Sequence, residues 1–294
     1  MRGTEVLTCR LRGRLAREVE KSDGALVVVG DRVQVETLPD GSGIIEEVLP
    51  RRSAVARKAA GRIPREQVLA ANVDLAAVVV SLREPRFKPG TVMQFVLGAR
   101  AGGVEPLVVL NKVDLDCGNL AQAEEALAPV RAAGVCCVAT SAKNGDGLED
   151  LAGCLRGCWT LFYGQSGVGK SSLLNRLCPE AAARTSAVSH VTGRGRHTTS
   201  GSTLYALPEG GFVIDTPGVR SFSFWNAPER EDVAGLFPEI EALAGMCRFR
   251  DCAHDREPGC AVREALDRGE IDARRYRHYV RLARGARRHG WRHR

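Results

Sequence analysis

The chain has 294 residues, enough for about two domains with a sizeable buried core. Its composition, 44% hydrophobic and 26% charged, is that of a globular protein, and its net charge of +7 points to a polyanionic partner without naming one. Apolar runs such as Leu75 to Val80 are far shorter than the roughly 20 residues of a membrane span, and the arginines at 2, 10, 12 and 14 leave no apolar core for a secretory signal.

These features predict a cytoplasmic protein, with most of its ten cysteines held as reduced thiols. The charge is unevenly placed. Residues 261–294 hold 11 basic and 4 acidic groups, whereas residues 1–260 hold 31 of each, so the net charge belongs to the last stretch. Only six of the 42 basic residues are lysines, which marks positions that need an ammonium rather than a guanidinium.

Residues 7–15 and 25–38 read as strands, the second through Val27-Val28-Val29 and the alternation of Val33, Val35 and Thr37. Gly41-Ser42-Gly43 then turns into a third strand at Ile44 to Leu49. Short strands with polar turns predict an all-β OB-fold barrel over residues 1–65. Its arginines, including Arg51, Arg52 and Arg57, suit either a nucleic-acid face or a solvated basic surface.

From residue 66 to 232, apolar strands at Leu75 to Leu82, Pro106 to Leu110, Val135 to Ala139, Leu161 to Tyr163 and Gly211 to Ile214 alternate with helical segments such as Leu120 to Ala133 and Lys170 to Leu177. That alternation predicts a central α/β domain on a parallel sheet, with its ligand at the carboxyl ends of the strands. Residues 233–294 form a third unit. It has a Cys/His cluster, a helical stretch at Val262 to Leu266 stopping near Gly269, and a second helix after Asp272 with Tyr276, Tyr279, Val280 and Ala283 on one stripe.

Gly164-Gln165-Ser166-Gly167-Val168-Gly169-Lys170-Ser171, with Ser172 following, is a P-loop between a strand and a helix. Its amides wrap phosphate, Lys170 reaches the β- and γ-phosphates, and Ser171 supplies a Mg²⁺ ligand. Asn111-Lys112-Val113-Asp114 selects guanine, because the Asp114 carboxylate accepts a pair of donors that adenine lacks. Asn111 braces the loops, the Lys112 stem lies on the base, and the Ala142 amide of Thr140-Ser141-Ala142-Lys143 meets the guanine oxygen. Lys112, Lys143 and Lys170 are three of the six lysines.

Asp215-Thr216-Pro217-Gly218 is expected to hold Mg²⁺ through Asp215 and to sense the γ-phosphate through the Gly218 amide. Between it and the P-loop, Thr198 or Thr199 completes the Mg²⁺ shell. The order NKVD, SAK, P-loop, DTPG is circularly permuted relative to ordinary GTPases. Val219 stands where a water-orienting Gln is usual, which predicts slow intrinsic hydrolysis and activation by a partner. His197 is the candidate to position water, with an exposed loop histidine or an RNA contact as the alternative.

Cys247, Cys252, His254 and Cys260 lie within 14 residues and form a closed four-ligand set for a structural Zn²⁺. Arg248 and Arg250, between those ligands, are candidate phosphate contacts.

With these motifs in place, the chain closely resembles the RsgA/YjeQ family of circularly permuted GTPases of small ribosomal subunit biogenesis. GDRV at Gly30 to Val33, PRRS at Pro50 to Ser53, AANVD at Ala70 to Asp74, GRGRHTT and CRFRDCAHDREPGCAV extend the match over nearly the whole length. The chain is expected to be a monomer, and the resemblance implies an OB-fold, a permuted GTPase and a zinc domain. It also implies binding of ribosomal RNA and GTP hydrolysis stimulated by the small subunit late in its maturation. The chain departs from it in carrying almost no basic extension ahead of the expected barrel. The competing readings are an RNA-binding assembly scaffold in which hydrolysis is incidental, and a translation-factor-like GTPase.

Overall fold

The computed structural model describes residues 6–15, 27–58, 66–116, 118–179, 203–216 and 230–290. At the N-terminal end, β1 (Cys9–Leu11), β2 (Val33–Thr37) and β3 (Gly43–Val48) form a sheet in the order β1-β3-β2, with β1 parallel and β2 antiparallel to β3. Two further strands, β4 (Ala54–Lys58) and β5 (Glu66–Ala71), pair antiparallel as a separate sheet. The described residues therefore give two small sheets where the sequence suggested one barrel.

The strand expected over 25–38 begins only at Val33, and a half-buried turn explains why. Asp31 accepts from the Val28 amide at 2.8 Å and from Arg51 at 2.7 and 2.9 Å, and its amide returns to the Val28 carbonyl. These bonds turn the chain through Gly30, where a Cβ would lie 1.9 Å from the Ala71 carbonyl oxygen.

The GDRV, PRRS and AANVD segments meet at this point and join the N-terminal sheets to the central one. The Asn72 side chain donates to Gly30 O and accepts from the Arg52 amide, both at 2.9 Å. Ser53 donates to Val73 O at 2.7 Å, and Asp74 accepts from the Trp159 amide at 2.8 Å.

The central sheet has the order β10-β11-β9-β6-β7-β8. Its strands are β6 (Leu75–Ser81), β7 (Glu105–Asn111), β8 (Cys136–Ala139), β9 (Trp159–Tyr163), β10 (Thr203–Ala206) and β11 (Phe212–Asp215). All neighbours run parallel except the edge strand β10, which is antiparallel to β11. β6 to β8 step one way and β9 returns to the other side of β6, so the chain reverses its winding beside β6, where such sheets form their crevice.

Four helices follow β6, β7, β8 and β9: Pro89–Ala101, Leu120–Ala132, Leu148–Leu155 and Lys170–Leu177. The first has no clear apolar stripe because seven of its 13 residues are buried. One apolar cluster covers a face of the sheet and continues through Ile214, Val233, Phe237 and Ile240 to Val262 and Tyr279, while a second, around Phe162, Leu173 and Val213, fills the other face.

The C-terminal part is helical: Arg230–Ala234, Pro238–Ala244, Ala261–Asp267 and Ala273–Gly290. The Asp272 carboxylate accepts from the amides of Arg274 and Arg275 at 2.8 and 2.9 Å and opens the last helix, as the sequence suggested. No described helix is long and apolar enough to cross a membrane.

Candidate functional site

Each segment named from the sequence follows a strand of the parallel sheet at its carboxyl end. β7 ends at Asn111, β8 leads into Thr140 to Lys143, β9 leads into Gly164 to Lys170, and β11 ends at Asp215. Parallel register brings these ends together, with Ser81 opposite Asn111, Leu110 opposite Ala139, and Phe162 opposite Asp215.

Asn111 ties three of the segments. It is 1% exposed. Its Nδ2 donates to Val168 O in the P-loop at 2.9 Å, while its Oδ1 accepts from Thr140 Oγ1 and from the Ala142 amide, both at 3.2 Å. Both oxygen lone-pair sites and one of the two amide hydrogens are thereby engaged inside the protein. A Cβ on Gly169 would come within 2.2 Å of that Nδ2, and Gly169 has φ +96°, so the P-loop closes over Asn111 only with glycine there. Gly164 is equally constrained, because its Cβ would lie 2.3 Å from Val79 O on β6.

Asp114 is held by the neighbouring loop. Ser141 Oγ donates to Asp114 Oδ1 at 2.7 Å and accepts from the Asn144 amide at 3.0 Å. Lys112, in a left-handed conformation, donates from Nζ to Glu84 O at 2.6 Å and so links the site to the loop after β6. Lys143 is exposed, as are Ser166, Gly167, Ser171 and Ser172. The exposed P-loop residues border the start of the helix Lys170–Leu177, whose first amides face the loop.

Lys170 donates to Gly164 O at 2.8 Å and Gln165 O at 3.2 Å. Burial lowers its pKa, and the nearby Asp215 carboxylate opposes that shift. Burial likewise raises the Asp215 pKa against the pull of Lys170 and of the Thr216 amide. Asp215 Oδ1 and Thr216 Oγ1 are buried without a hydrogen-bond partner among the described residues. A buried, unpartnered carboxylate oxygen beside a P-loop fits a hard divalent cation such as Mg²⁺. His197, Thr198, Thr199, Gly218 and Val219 lie outside the described residues.

Cys247, Cys252, His254 and Cys260 converge, their ligand atoms all within 4.8 Å of one another. His254 Nδ1 is 3.4 Å from both Cys247 Sγ and Cys260 Sγ, and these two sulfurs are 3.9 Å apart. A tetrahedron with Zn–S about 2.3 Å and Zn–N about 2.0 Å has edges of roughly 3.8 Å between sulfurs and roughly 3.5 Å from sulfur to nitrogen. The cluster therefore fits a metal such as zinc.

Burial pushes the Cys252 thiol up to about 12, and a cation bound among the ligands would favour its thiolate form. The Glu257 carboxylate accepts from the amides of Ala253, Asp255 and Arg256, each at 3.0 Å, and fixes the turn that presents Cys252 and His254. Arg248 and Arg250 are exposed beside Phe249, and the Arg248 guanidinium lies 5.5 Å from the Phe249 ring centroid. The sequence reading did not identify Glu257, the Ser141–Asp114 contact or the Lys112–Glu84 link, which depend on folded-state proximity. For Ser141 and Asp114, the recurrence of short polar residues after apolar strands was the only trace.

A protein-family model described as RsgA GTPase matches residues 48–225. Among curated proteins, a small ribosomal subunit biogenesis GTPase RsgA from Opitutus terrae is 43% identical, over 96% of this chain and 78% of that one. The protein of the same name from Streptomyces avermitilis is 44% identical over 88% and 69%. The crystal structure of YjeQ from Thermotoga maritima aligns with a TM-score of 0.66 at 32% identity, covering 95% of this chain and 89% of that one. YloQ, described as a circularly permuted GTPase, aligns with a TM-score of 0.65 at 30% identity over 97% and 87%.

Proposed function

Because the chain belongs to the RsgA GTPase family, we propose that this GTP hydrolase acts in maturation of the small ribosomal subunit, with the subunit stimulating its turnover. The observation that carries the reading is the Asn111 side chain, which bonds at once to the P-loop and to the segment containing Ala142. A base held by Asp114 and phosphates held at Gly164 to Ser172 thus share one rigid support.

In this reading Asp114 accepts the two guanine donors, with Ser141 orienting the carboxylate. The Ala142 amide and Lys143 border the base, and the Lys112 stem lies against its face. Gln165, Ser166, Gly167, Val168 and Gly169 present backbone amides to the phosphates, and Lys170 leaves its carbonyl partners for the phosphate oxygens. Ser171 and Asp215, with Thr198 or Thr199, are the residues that would hold Mg²⁺, which when bound would supply charge neutralisation at the phosphates. Gly218 senses the γ-phosphate and His197 orients the attacking water. Val219 cannot orient it, which accounts for the need for a partner.

The two N-terminal sheets serve as the OB-type RNA-binding unit; its β5 runs to Ala71, past the boundary at 65 expected from the sequence, and the permuted GTPase unit follows to residue 232. The zinc unit of 233–294 contacts ribosomal RNA through its basic surface. The protein works as a cytoplasmic monomer and cycles between GTP and GDP. Turnover measured with and without small subunits over a salt series tests this reading. Stimulation that fades steeply with salt is expected, and turnover indifferent to subunits overturns it. His197→Ala should abolish the stimulated rate while leaving GTP binding intact, and full stimulated turnover would remove His197 from that role.

A further inference from the structure

Among the described residues outside the Cys/His cluster, one pair of thiols is brought into contact by the fold. Cys136, at the first position of β8, is exposed, and its Sγ lies 3.6 Å from the Sγ of Cys154 near the end of the helix Leu148–Leu155. We propose that Cys136 and Cys154 are a disulfide-forming site whose closure by a peroxide holds the segment read here as guanine-binding in place. This rests on the guanine reading of Thr140 to Lys143.

The geometry requires little movement. A disulfide is about 2.05 Å long, so each sulfur needs to shift by about 0.8 Å from the present separation, which is within reach of side-chain rotation. The two thiols are also unequal. Cys136 is open to solvent, with the Arg131 guanidinium within electrostatic reach, and is the sulfur that an oxidant meets. Cys154 is partly covered, and burial followed by its hydrogen bond with Cys136 pushes its thiol up to about 11. Neighbouring Cys137 is turned away, its Sγ directed to Val135 O at 3.6 Å, and burial pushes it up to about 12.

The chemistry balances with peroxide as oxidant. Cys136 is oxidised to a sulfenic acid, the peroxide O–O bond breaks, and one water leaves. Cys154 then attacks that sulfur, the S–S bond forms as the S–O bond breaks, and a second water leaves with the thiol proton. A thiol reductant returns both cysteines to the reduced form.

The position gives the linkage its consequence. β8 is the edge strand of the central sheet and pairs with β7 alone among the described strands, so it is a natural place for local opening. The two cysteines are 18 residues apart, and the ring they would close contains Thr140 to Gly147, which includes the donors to Asp114 and Asn111. The site lies at the end of β8 away from that loop, so it anchors the loop's two flanks without touching the nucleotide. Closing a ring of this size lowers the population of the opened unit by on the order of a hundredfold.

The test uses the full zinc-loaded chain, treated with hydrogen peroxide and compared with Cys136→Ser treated identically, so that oxidation at the metal cysteines cancels. Peptide mapping should recover a Cys136–Cys154 linkage in the wild type that dithiothreitol reverses. Dissociation of a fluorescent GDP analogue should then be slower from the oxidised than from the reduced wild type, and unchanged by oxidation in Cys136→Ser. Recovery of both thiols unmodified, or linkage of Cys136 to another cysteine, overturns the site. Mapped linkage with equal dissociation rates overturns the brace. If neither form binds the analogue, the guanine reading fails and the brace fails with it, whereas the mapping still decides the disulfide.

Discussion

Replacing Asn111 with alanine removes a buried side chain that joins the P-loop to the Ala142 segment, and its cost can be worked from the three contacts. Each buried neutral hydrogen bond contributes about 1 kcal/mol net, and a buried partner left unsatisfied costs about 1–3 kcal/mol. The Val168 carbonyl and the Ala142 amide lose a partner that water replaces poorly at a side chain 1% exposed, whereas the Thr140 hydroxyl can rotate. The sum is about 3 kcal/mol, or a fall in unfolding midpoint of roughly 6–12 °C for a domain of this size. Urea unfolding followed by circular dichroism measures the first quantity, and titration with a fluorescent GDP analogue measures the second consequence, a loss of affinity of at least about tenfold as the two loops separate. A stability change below about 1 kcal/mol with unchanged affinity would refute the argument that Asn111 is a structural brace.

Three further outcomes follow from the same geometry. Gly169→Ala places a Cβ 2.2 Å from Asn111 Nδ2 at a φ of +96°, so it should lose nucleotide binding and about 1–3 kcal/mol of stability; in a double-mutant cycle with Asn111→Ala the two losses should be less than additive, and strict additivity would sever the connection. Metal analysis should find one zinc per chain, and Cys252→Ser should lose that metal and lower the unfolding midpoint while leaving GDP-analogue affinity intact; full occupancy in Cys252→Ser would contradict the four-ligand set. Arg274, Arg277 and Arg281 are exposed and spaced along one side of the last helix, so converting all three to alanine should flatten the dependence of log K on log salt for small-subunit binding by about 2–3 units. An unchanged slope would move the RNA contact elsewhere.

What was legible in the sequence followed from residue type and period. Apolar strands at 75–82, 106–110, 135–139, 161–163 and 211–214 became β6, β7, β8, β9 and β11; in the interior strands β6, β7 and β9 the runs are buried on both faces and need no alternation to be recognised. The helix Pro89–Ala101 gave no such signal, since a helix buried nearly all round has no polar face to set its period. Asp31 shows the opposite limit. Val27-Val28-Val29 carries the highest β propensity of the N-terminal region, yet the half-buried Arg51–Asp31 pair with the Val28 amide turns the chain there, and a partner 20 residues away is invisible to local pattern. At the candidate site the sequence identified the residue types; the folded chain added their mutual support, with Ser141 orienting Asp114 and Glu84 O engaging Lys112.

The permutation gains physical meaning from the shared core. In this chain order β11, which carries Asp215 at its end, is the last described strand before the C-terminal helices. Ile214, one residue before Asp215, belongs to the same apolar cluster as Val233, Leu236, Phe237 and Ile240, and that cluster extends to Cys252, Cys260 and Tyr279 around the metal ligands. Tyr279 packs edge-on against Phe237 at 5.5 Å and lies 5.9 Å from the His254 ring, while the Tyr276 hydroxyl donates to His254 O at 2.6 Å. Close-packed cores transmit strain because they have few alternative arrangements. A displacement of Asp215 on phosphate or Mg²⁺ binding would therefore act on the unit carrying the Cys/His cluster through packed side chains. Such coupling must be reciprocal in binding free energy, so an RNA partner held by that unit would alter nucleotide affinity by the same factor that nucleotide alters the affinity for RNA.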